Sequence, residues 1–321
     1  VQDLSFKSPS LARGLINFRA NEVGCVATIG SFDGVHRGHQ AILQQVTALA
    51  RAKGLPAIAI VFEPQPQEYF LGDKAPARLT PLREKFCALL ASGIDQVVCL
   101  AFNEKLRHLT ADAFVREILV KHLKVRHLVV GDDFRFGCDR RGDFSLLSEL
   151  GAELNFSVID TCTFEVDGER VSSTRIRTAL DESDFTLASA LLGAPFRIAG
   201  KIAYGQQLGR KLGVPTANVR LRRYRSPLHG VFAVTATFAD GETYQGVANI
   251  GNRPTVNGDK KPLLEVHLFD FSKSVYGAML SVEFHVKLRD EQKFNSLDQL
   301  QQQLQQDITD ARNYFAGATT F

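Results

Sequence analysis

The sequence predicts an α/β chain in two parts: a parallel sheet covered by helices, then a small antiparallel sheet or barrel followed by a terminal helix. Three observations carry this. The length of 321 residues exceeds what one hydrophobic core usually holds. Up to the segment ending at Leu192, short apolar runs alternate strictly with segments of helical period. After Pro195 the pattern becomes short β-type runs, some separated by turns such as Asp240-Gly241 and Asn257-Gly258.

Taken in order, residues 23–29 form a short apolar run, read as a buried strand, and 31–39 a Gly-rich turn. Ile42, Leu43, Val46, Leu49 and Ala50 recur at helical spacing, and Gly54 and Pro56 end that helix. Strands at 57–62, 96–101, 128–130 and 156–159 alternate with helices at 82–90, 111–122 and 144–150. A helical segment over 175–192 breaks near 181–184. Five strands follow, at 196–203, 230–238, 243–250, 263–269 and 280–288. The last helix, 297–315, carries Leu300, Leu304 and Ile308 on one face.

Composition excludes several classes. Hydrophobic residues make up 45% and charged residues 23%, as in an ordinary globular protein rather than a disordered one. No apolar run reaches the roughly 18 residues that span a bilayer. No apolar stretch follows a basic start, so no signal peptide is read and a cytoplasmic protein without a membrane partner is expected. Net charge is only +3. Arg220, Arg222, Arg223 and Arg225 cluster, but no aromatic stacking platform surrounds them, so they are read as a solvated loop and no nucleic-acid partner is expected. The five cysteines are odd in number and lack CxxC spacing, which argues against a disulfide framework or a zinc site. Buried, reduced thiols are expected.

The segment Gly30-Ser31-Phe32-Asp33-Gly34-Val35-His36-Arg37-Gly38-His39 follows a buried strand and opens a helix. Such a position offers unpaired backbone N–H groups and the positive end of a helix dipole. Gly34 and Gly38 let the backbone approach a ligand, and His36 and His39 lie three residues apart on the first turn, where imidazoles donate to phosphate oxygens. HxxH without further partners is a weak zinc signal. The combination points to nucleotide-phosphate handling. In the second half, residues 200–218 hold several glycines and basic side chains but no Walker A spacing; alone they fit a phosphate loop or a glycine-rich hairpin equally.

Gly-x-Phe-Asp-x-x-His-x-Gly-His resembles the signature of the HxGH nucleotidyltransferase superfamily, whose members adenylylate or cytidylylate a phosphate or carboxylate and release pyrophosphate. By that resemblance Gly30, Phe32, Asp33, His36, Gly38 and His39 handle ATP. Ser172-Ser173-Thr174-Arg175-Ile176-Arg177 resembles the (I)SSTxxR motif, implying that Ser173, Thr174 and Arg177 meet the ATP phosphates; by residue type alone it is an N-cap. Gly131-Asp132-Asp133-Phe134-Arg135-Phe136-Gly137 resembles the GxDFxFG motif of bacterial FAD synthetases, which places Asp132, Asp133, Phe134 and Phe136 by nucleotide and flavin. Phe62-Glu63-Pro64-Gln65-Pro66 matches another segment of that family, with Gln65 where many members have histidine.

Gly-x-x-x-Gly-Arg-x-Leu-Gly-x-Pro-Thr-Ala-Asn, ending at Asn218, resembles the riboflavin kinase motif. The resemblance implies that Thr216 and Asn218 hold Mg²⁺ and ATP phosphates and that Glu265 is the catalytic base. It assigns Gly200, Lys201, Gly205, Gly209, Arg210, Gly213, Pro215, Asn249 and Arg289 to ATP or flavin. Over essentially the whole chain the sequence resembles the bacterial bifunctional riboflavin kinase/FAD synthetases. The implied organisation is a Rossmann-like nucleotidyltransferase domain over 1–182 and a riboflavin kinase-like barrel over 183–321. ATP would be co-substrate, with riboflavin, FMN and FAD as substrates and products. Protein partners and oligomeric state are not implied.

Overall fold

The computed structural model describes residues 10–204, 213–221, 225–254, 260–273 and 275–317. The chain divides into two compact units, Val1–Pro76 with Thr80–Ser173, and Ala77–Leu79 with Thr174–Phe321.

The first unit is built on six parallel strands: β1 (Ser10–Arg13), β2 (Cys25–Ile29), β3 (Ala57–Glu63), β4 (Gln96–Ala101), β5 (Val125–Gly131) and β6 (Ser157–Thr161). Their order is β1-β4-β3-β2-β5-β6. β2 is buried at all five positions, as expected of a parallel strand covered on both faces. From β2 the chain proceeds through β3 and β4 to one side, then returns to place β5 and β6 on the other. β2 and β5 therefore straddle the topological switch point, where open α/β sheets bind ligands beyond the strand carboxyl ends.

Helix α1 (Arg37–Lys53) buries Leu43, Val46, Thr47 and Ala50 on one stripe and ends at Gly54, whose φ of 64° is the left-handed C-cap conformation. Helices α2 (Pro66–Leu71) and α3 (Leu82–Ala91) follow β3. The short helix α4 (Glu104–Arg107) precedes α5, whose first turn Ala111–Ala113 continues as a π-helical stretch, Phe114–His122. Apolar periodicity over so few turns does not separate the two windings. Helix α6 (Phe144–Glu153) follows β5, and a short hairpin, β7 (Glu165–Val166) with β8 (Glu169–Arg170), follows β6. The expected burial of the thiols holds for Cys25 and Cys99, but Cys87 and Cys162 are exposed. Burial pushes the Cys25 thiol up to about 12.

In the second unit the helical segment breaks where expected. α7 (Ser173–Asp181) stops, and the Asp184 carboxylate caps α8 (Phe185–Leu192) by accepting from the Leu187 N–H at 2.8 Å. Six antiparallel strands then close a barrel: β9 (Arg197–Ala203), β10 (Ala217–Arg220), β11 (Gly230–Phe238), β12 (Thr243–Pro254), β13 (Lys260–Leu268) and β14 (Met279–Arg289). The order is β10-β13-β12-β11-β14-β9, and β9 pairs back onto β10. Phe232, Val234, Ala248, Ile250, Leu264, Val266 and Val282 alternate inward and are buried.

The last helix, α9 (Leu297–Phe315), covers part of the outer wall, with Ala311 and Ile308 against Val231, Ala233, Val247 and Phe269. It is pinned by an ion pair. Arg289 donates from Nε and Nη2 to the two carboxylate oxygens of Asp307, at 2.7 Å each, and Gln303 adds a third hydrogen bond. Removing one partner strands the other charge in a buried setting. Asp307→Ala should therefore cost about 3–5 kcal/mol of barrel stability, read as a lower denaturation midpoint for this unit. An unchanged midpoint would show that α9 is held by its apolar face alone.

Candidate functional site

In the first unit the turn after β2 is held from several sides. Gly30 N–H donates to the Ile60 carbonyl. Asp33 is buried, and its carboxylate accepts from the Thr80 N–H at 3.0 Å while the Thr80 hydroxyl accepts from the Gly34 N–H at 2.6 Å. The Ser173 hydroxyl donates to the Asp33 carbonyl at 2.9 Å. Within this frame Phe32 and Val35 adopt φ of 45° and 41°. Positive φ is costly for a β-branched residue, at about 1–3 kcal/mol, and such strain collects where a backbone must be aimed. A side chain at Gly38 would crowd the His36 ring, since a Cβ there would lie 3.3 Å from its Cε1 and Nδ1.

His36 is the N-cap of α1, and its Nδ1 accepts from the His39 N–H at 3.3 Å. A neutral His36 then carries its proton on Nε2, which becomes its donor. The two imidazoles are stacked, with centroids 3.6 Å apart and planes 16° from parallel. Phe32 covers His39 at 5.1 Å. Burial, then His36, then the cation of Lys85 hold the His39 pKa well below the ordinary value, so His39 is neutral near pH 7. Its Nδ1 is buried without a hydrogen-bond partner among the described residues.

The other switch-point loop follows β5. The Arg170 guanidinium bridges Asp132 and Asp133 at 3.0 and 2.8 Å, which fastens the β7–β8 hairpin to this loop. The Thr163 hydroxyl and then Arg170 lower the Asp132 pKa. Phe134 is half-buried and stacks on Phe136, which lies in the core beside Phe114. Phe136 therefore shapes the loop from below. Gln65 caps α2 in a capping box with Glu68, and its Nε2 is buried without a partner among the described residues.

In the second unit the strand register assembles the other site. Asn218 on β10 lies opposite Glu265 on β13, and Glu265 lies opposite Asn249 on β12. Directly opposed residues share a face about 5 Å apart. Their neighbours Val219, Leu264 and Ile250 fill the interior, so this row is on the outer wall. Asn218 is buried and Glu265 half-buried. Asn249 Oδ1 is buried with no partner among the described residues, while its Nδ2 lies 3.5 Å from Glu291. Thr216 lines a cavity of about 360 Å³ walled by Ile202, Pro215, Val266, Leu268 and Tyr276. The Pro215 carbonyl accepts from His267 Nδ1 at 2.9 Å.

Comparison with known proteins decides the family. A family model described as FAD synthetase matches residues 18–175, and one described as riboflavin kinase matches 192–315. A bifunctional riboflavin kinase/FMN adenylyltransferase of Pseudomonas fluorescens is 54% identical over 94% of this chain and 96% of its own length. One from Escherichia coli K12 is 49% identical over 95% and 97%. The chain belongs to the bifunctional riboflavin kinase/FMN adenylyltransferase family. A crystal structure described as a macrolide-efflux protein from Streptococcus pneumoniae also matches, with TM-score 0.78 and 28% identity over 96% of this chain and 99% of that one. Among the described residues of this chain, no helix is long and apolar enough to cross a membrane.

The residues singled out from the sequence in this bifunctional kinase/adenylyltransferase fall into place unevenly. Gly30, Phe32, Asp33, His36, Gly38, His39 and Ser173 share one frame. Thr174 lies in the first turn of α7, and Arg177 Nε donates to the Ala77 carbonyl at 2.6 Å. Gly200 is buried in β9, Lys201 is exposed beside it, and Gly213 is exposed with φ of 78°. Arg289 is engaged by Asp307. Gly205, Gly209 and Arg210 lie outside the described residues. Three features of the first site escaped the sequence reading: the Thr80 clamp, the Arg170 bridge and the burial of Lys85. Only Lys85 left a signal, as a charged residue on the apolar stripe Leu82–Leu89 of α3.

Proposed function

We propose that the chain makes FMN and then FAD, each step at its own site. The observation that carries the reading is positional. One motif set lies at the switch point of the parallel sheet, and the other lies along the Asn218–Glu265–Asn249 row of the barrel. We assign 1–182 to FMN adenylyltransferase and 183–321 to riboflavin kinase, both working in the cytoplasm.

In the kinase, Glu265 accepts the proton of the ribityl 5′-hydroxyl as that oxygen attacks the γ-phosphorus of ATP. The cavity beside Thr216 has apolar walls suited to a nucleobase. The neutral oxygens of Thr216 and Asn218, with the orphaned Asn249 Oδ1 two strands along the same row from Asn218, fit a hard cation that keeps waters and shares phosphate oxygens, as Mg²⁺ does. When bound, Mg²⁺ supplies charge neutralisation on the phosphates.

In the adenylyltransferase, an FMN phosphate oxygen bonds to the α-phosphorus of ATP as the α–β bridging bond breaks and pyrophosphate leaves. His36 donates from Nε2, and the N-terminus of α1 turns the positive end of its dipole to the phosphates. Ser173 holds that turn through the Asp33 carbonyl. The family motif assigns Thr174 and Arg177 to the same nucleotide.

Supplying FMN and ATP and following pyrophosphate tests the second step: release should match FAD one for one, and pyrophosphate without FAD would reject FMN as acceptor. EDTA should stop FMN formation from riboflavin, and added Mg²⁺ should restore it. Persistent FMN formation in EDTA would remove the metal from Thr216 and Asn218.

A further inference from the structure

The first unit carries a second concavity, at the amino ends of its parallel strands. A cleft of about 590 Å³ is lined there by Lys53, Leu55, Arg126, His127, Phe156 and Ser157, among others. Lys53 is the last residue of α1, Arg126 and His127 lie near the start of β5, and Ser157 opens β6. The phosphate turn is at the other end of α1, 17 residues and about 25 Å away.

The lining has two characters. Val23, the half-buried Leu55 and the buried Phe156 supply apolar surface. The charged groups are all cationic, and among the described residues no carboxylate lines the cleft. Neither the Lys53 nor the Arg126 side chain has a hydrogen bond or ion pair among the described residues, whereas the nearby Lys124 is paired with Glu22 at 2.6 Å. The Arg126 stem lies across Gly24, where a Cβ would come within 2.4 Å of the arginine Cγ. His127 Nδ1 and the Ser157 hydroxyl share a hydrogen bond of 2.6 Å across the β5–β6 pair. Burial and then the Lys53 charge hold the His127 pKa below its ordinary value, so the ring is neutral near pH 7. A lone exposed lysine is simply solvated. Two unpaired cations on one concave, partly apolar wall make a positive well that draws an anion.

We propose that this cleft is a binding site, distinct from the phosphate turn, for a phosphate ester: the phosphate meets Lys53 and Arg126, and a planar apolar body lies on Leu55 and Phe156. The volume falls within the roughly 300–1,000 Å³ of small-molecule sites, which combine apolar walls with a few placed polar groups. The arginine fork can take two phosphate oxygens while lysine adds a point charge. The neutral His127 ring adds a hydrogen-bonding edge without repelling either cation.

The test uses the full chain and 1-naphthyl phosphate, which joins a phosphate to a planar ring and carries neither a ribityl chain nor a nucleobase. Naphthyl fluorescence reports binding, and the His127 imidazole NMR signal, assigned through a His127→Gln variant, reports its place. That signal should shift saturably, with the midpoint given by fluorescence. Lys53→Gln combined with Arg126→Gln should weaken binding at least about tenfold, the scale of one lost charge-assisted hydrogen bond. Both side chains are exposed, so this variant should keep the fold and, without the probe, wild-type rates of riboflavin phosphorylation and FMN adenylylation. Inorganic phosphate should need at least about tenfold higher concentration to move the same signal, because it leaves the apolar wall uncovered. Three results overturn the proposal: fluorescence binding without a His127 shift, unchanged affinity in the double variant, or inorganic phosphate binding as tightly as the naphthyl ester. If the double variant does not fold, the wild-type His127 shift decides: a saturable shift that follows the fluorescence supports the site, and its absence overturns it.

Discussion

Glu265→Ala should abolish the kinase step while leaving the adenylyltransferase intact. The carboxylate stands between Asn218 and Asn249 on a row set by strand register, so removing it takes away the proposed proton acceptor without disturbing the pairing of β10, β13 and β12. Loss of a positioned general base lowers kcat about 10²- to 10⁴-fold. Riboflavin phosphorylation should fall by that amount. FMN supplied directly should still become FAD at the wild-type rate, because the His36–His39 turn belongs to the other compact unit. A folded variant that has lost both activities would show that the two sites do not work independently.

His36→Ala should produce the opposite pattern. It removes the N-cap of α1, the acceptor for the His39 N–H and the proposed Nε2 donor together. Losing one preorganised donor costs about 10- to 1000-fold in kcat, with FAD formation affected and FMN formation spared. His39→Ala should fall in the same range, since it removes the ring stacked on His36. The wild-type rate should not change with His39 titration between about pH 6 and 8, because burial, His36 and Lys85 keep that group neutral there. A rate that drops as pH falls through the ordinary histidine range would contradict this, as would wild-type FAD synthesis in either alanine variant.

Much of the fold was legible because burial writes itself into the sequence. The parallel strands are continuous apolar runs, and Gln96–Ala101, Gly230–Phe238 and Leu297–Phe315 were placed at their observed bounds. Elements with little to bury were missed. β1 is a four-residue edge strand paired to β4, and β10 is an equally short strand in a glycine-rich motif. The β7–β8 hairpin is mostly exposed, so nothing in its hydrophobic pattern marks it. For the candidate sites, motif spacing singled out His36, His39, Asn218 and Glu265. It did not foresee that His36 caps a helix through its ring nitrogen, or that Asp33 turns away toward Thr80. Those are contacts between segments distant along the chain, and no local pattern encodes them. Nor does the motif that assigns Arg289 to ligand foresee that the same side chain holds Asp307 on α9.

The account depends most on one chain performing both transfers in order. Chromatography of flavins over time, from riboflavin and Mg·ATP with purified protein, tests this directly. FMN should appear first and FAD after it, at the expense of FMN. FAD formed only when FMN is supplied, with riboflavin left untouched, would contradict the kinase assignment of the barrel and reduce the chain to an adenylyltransferase.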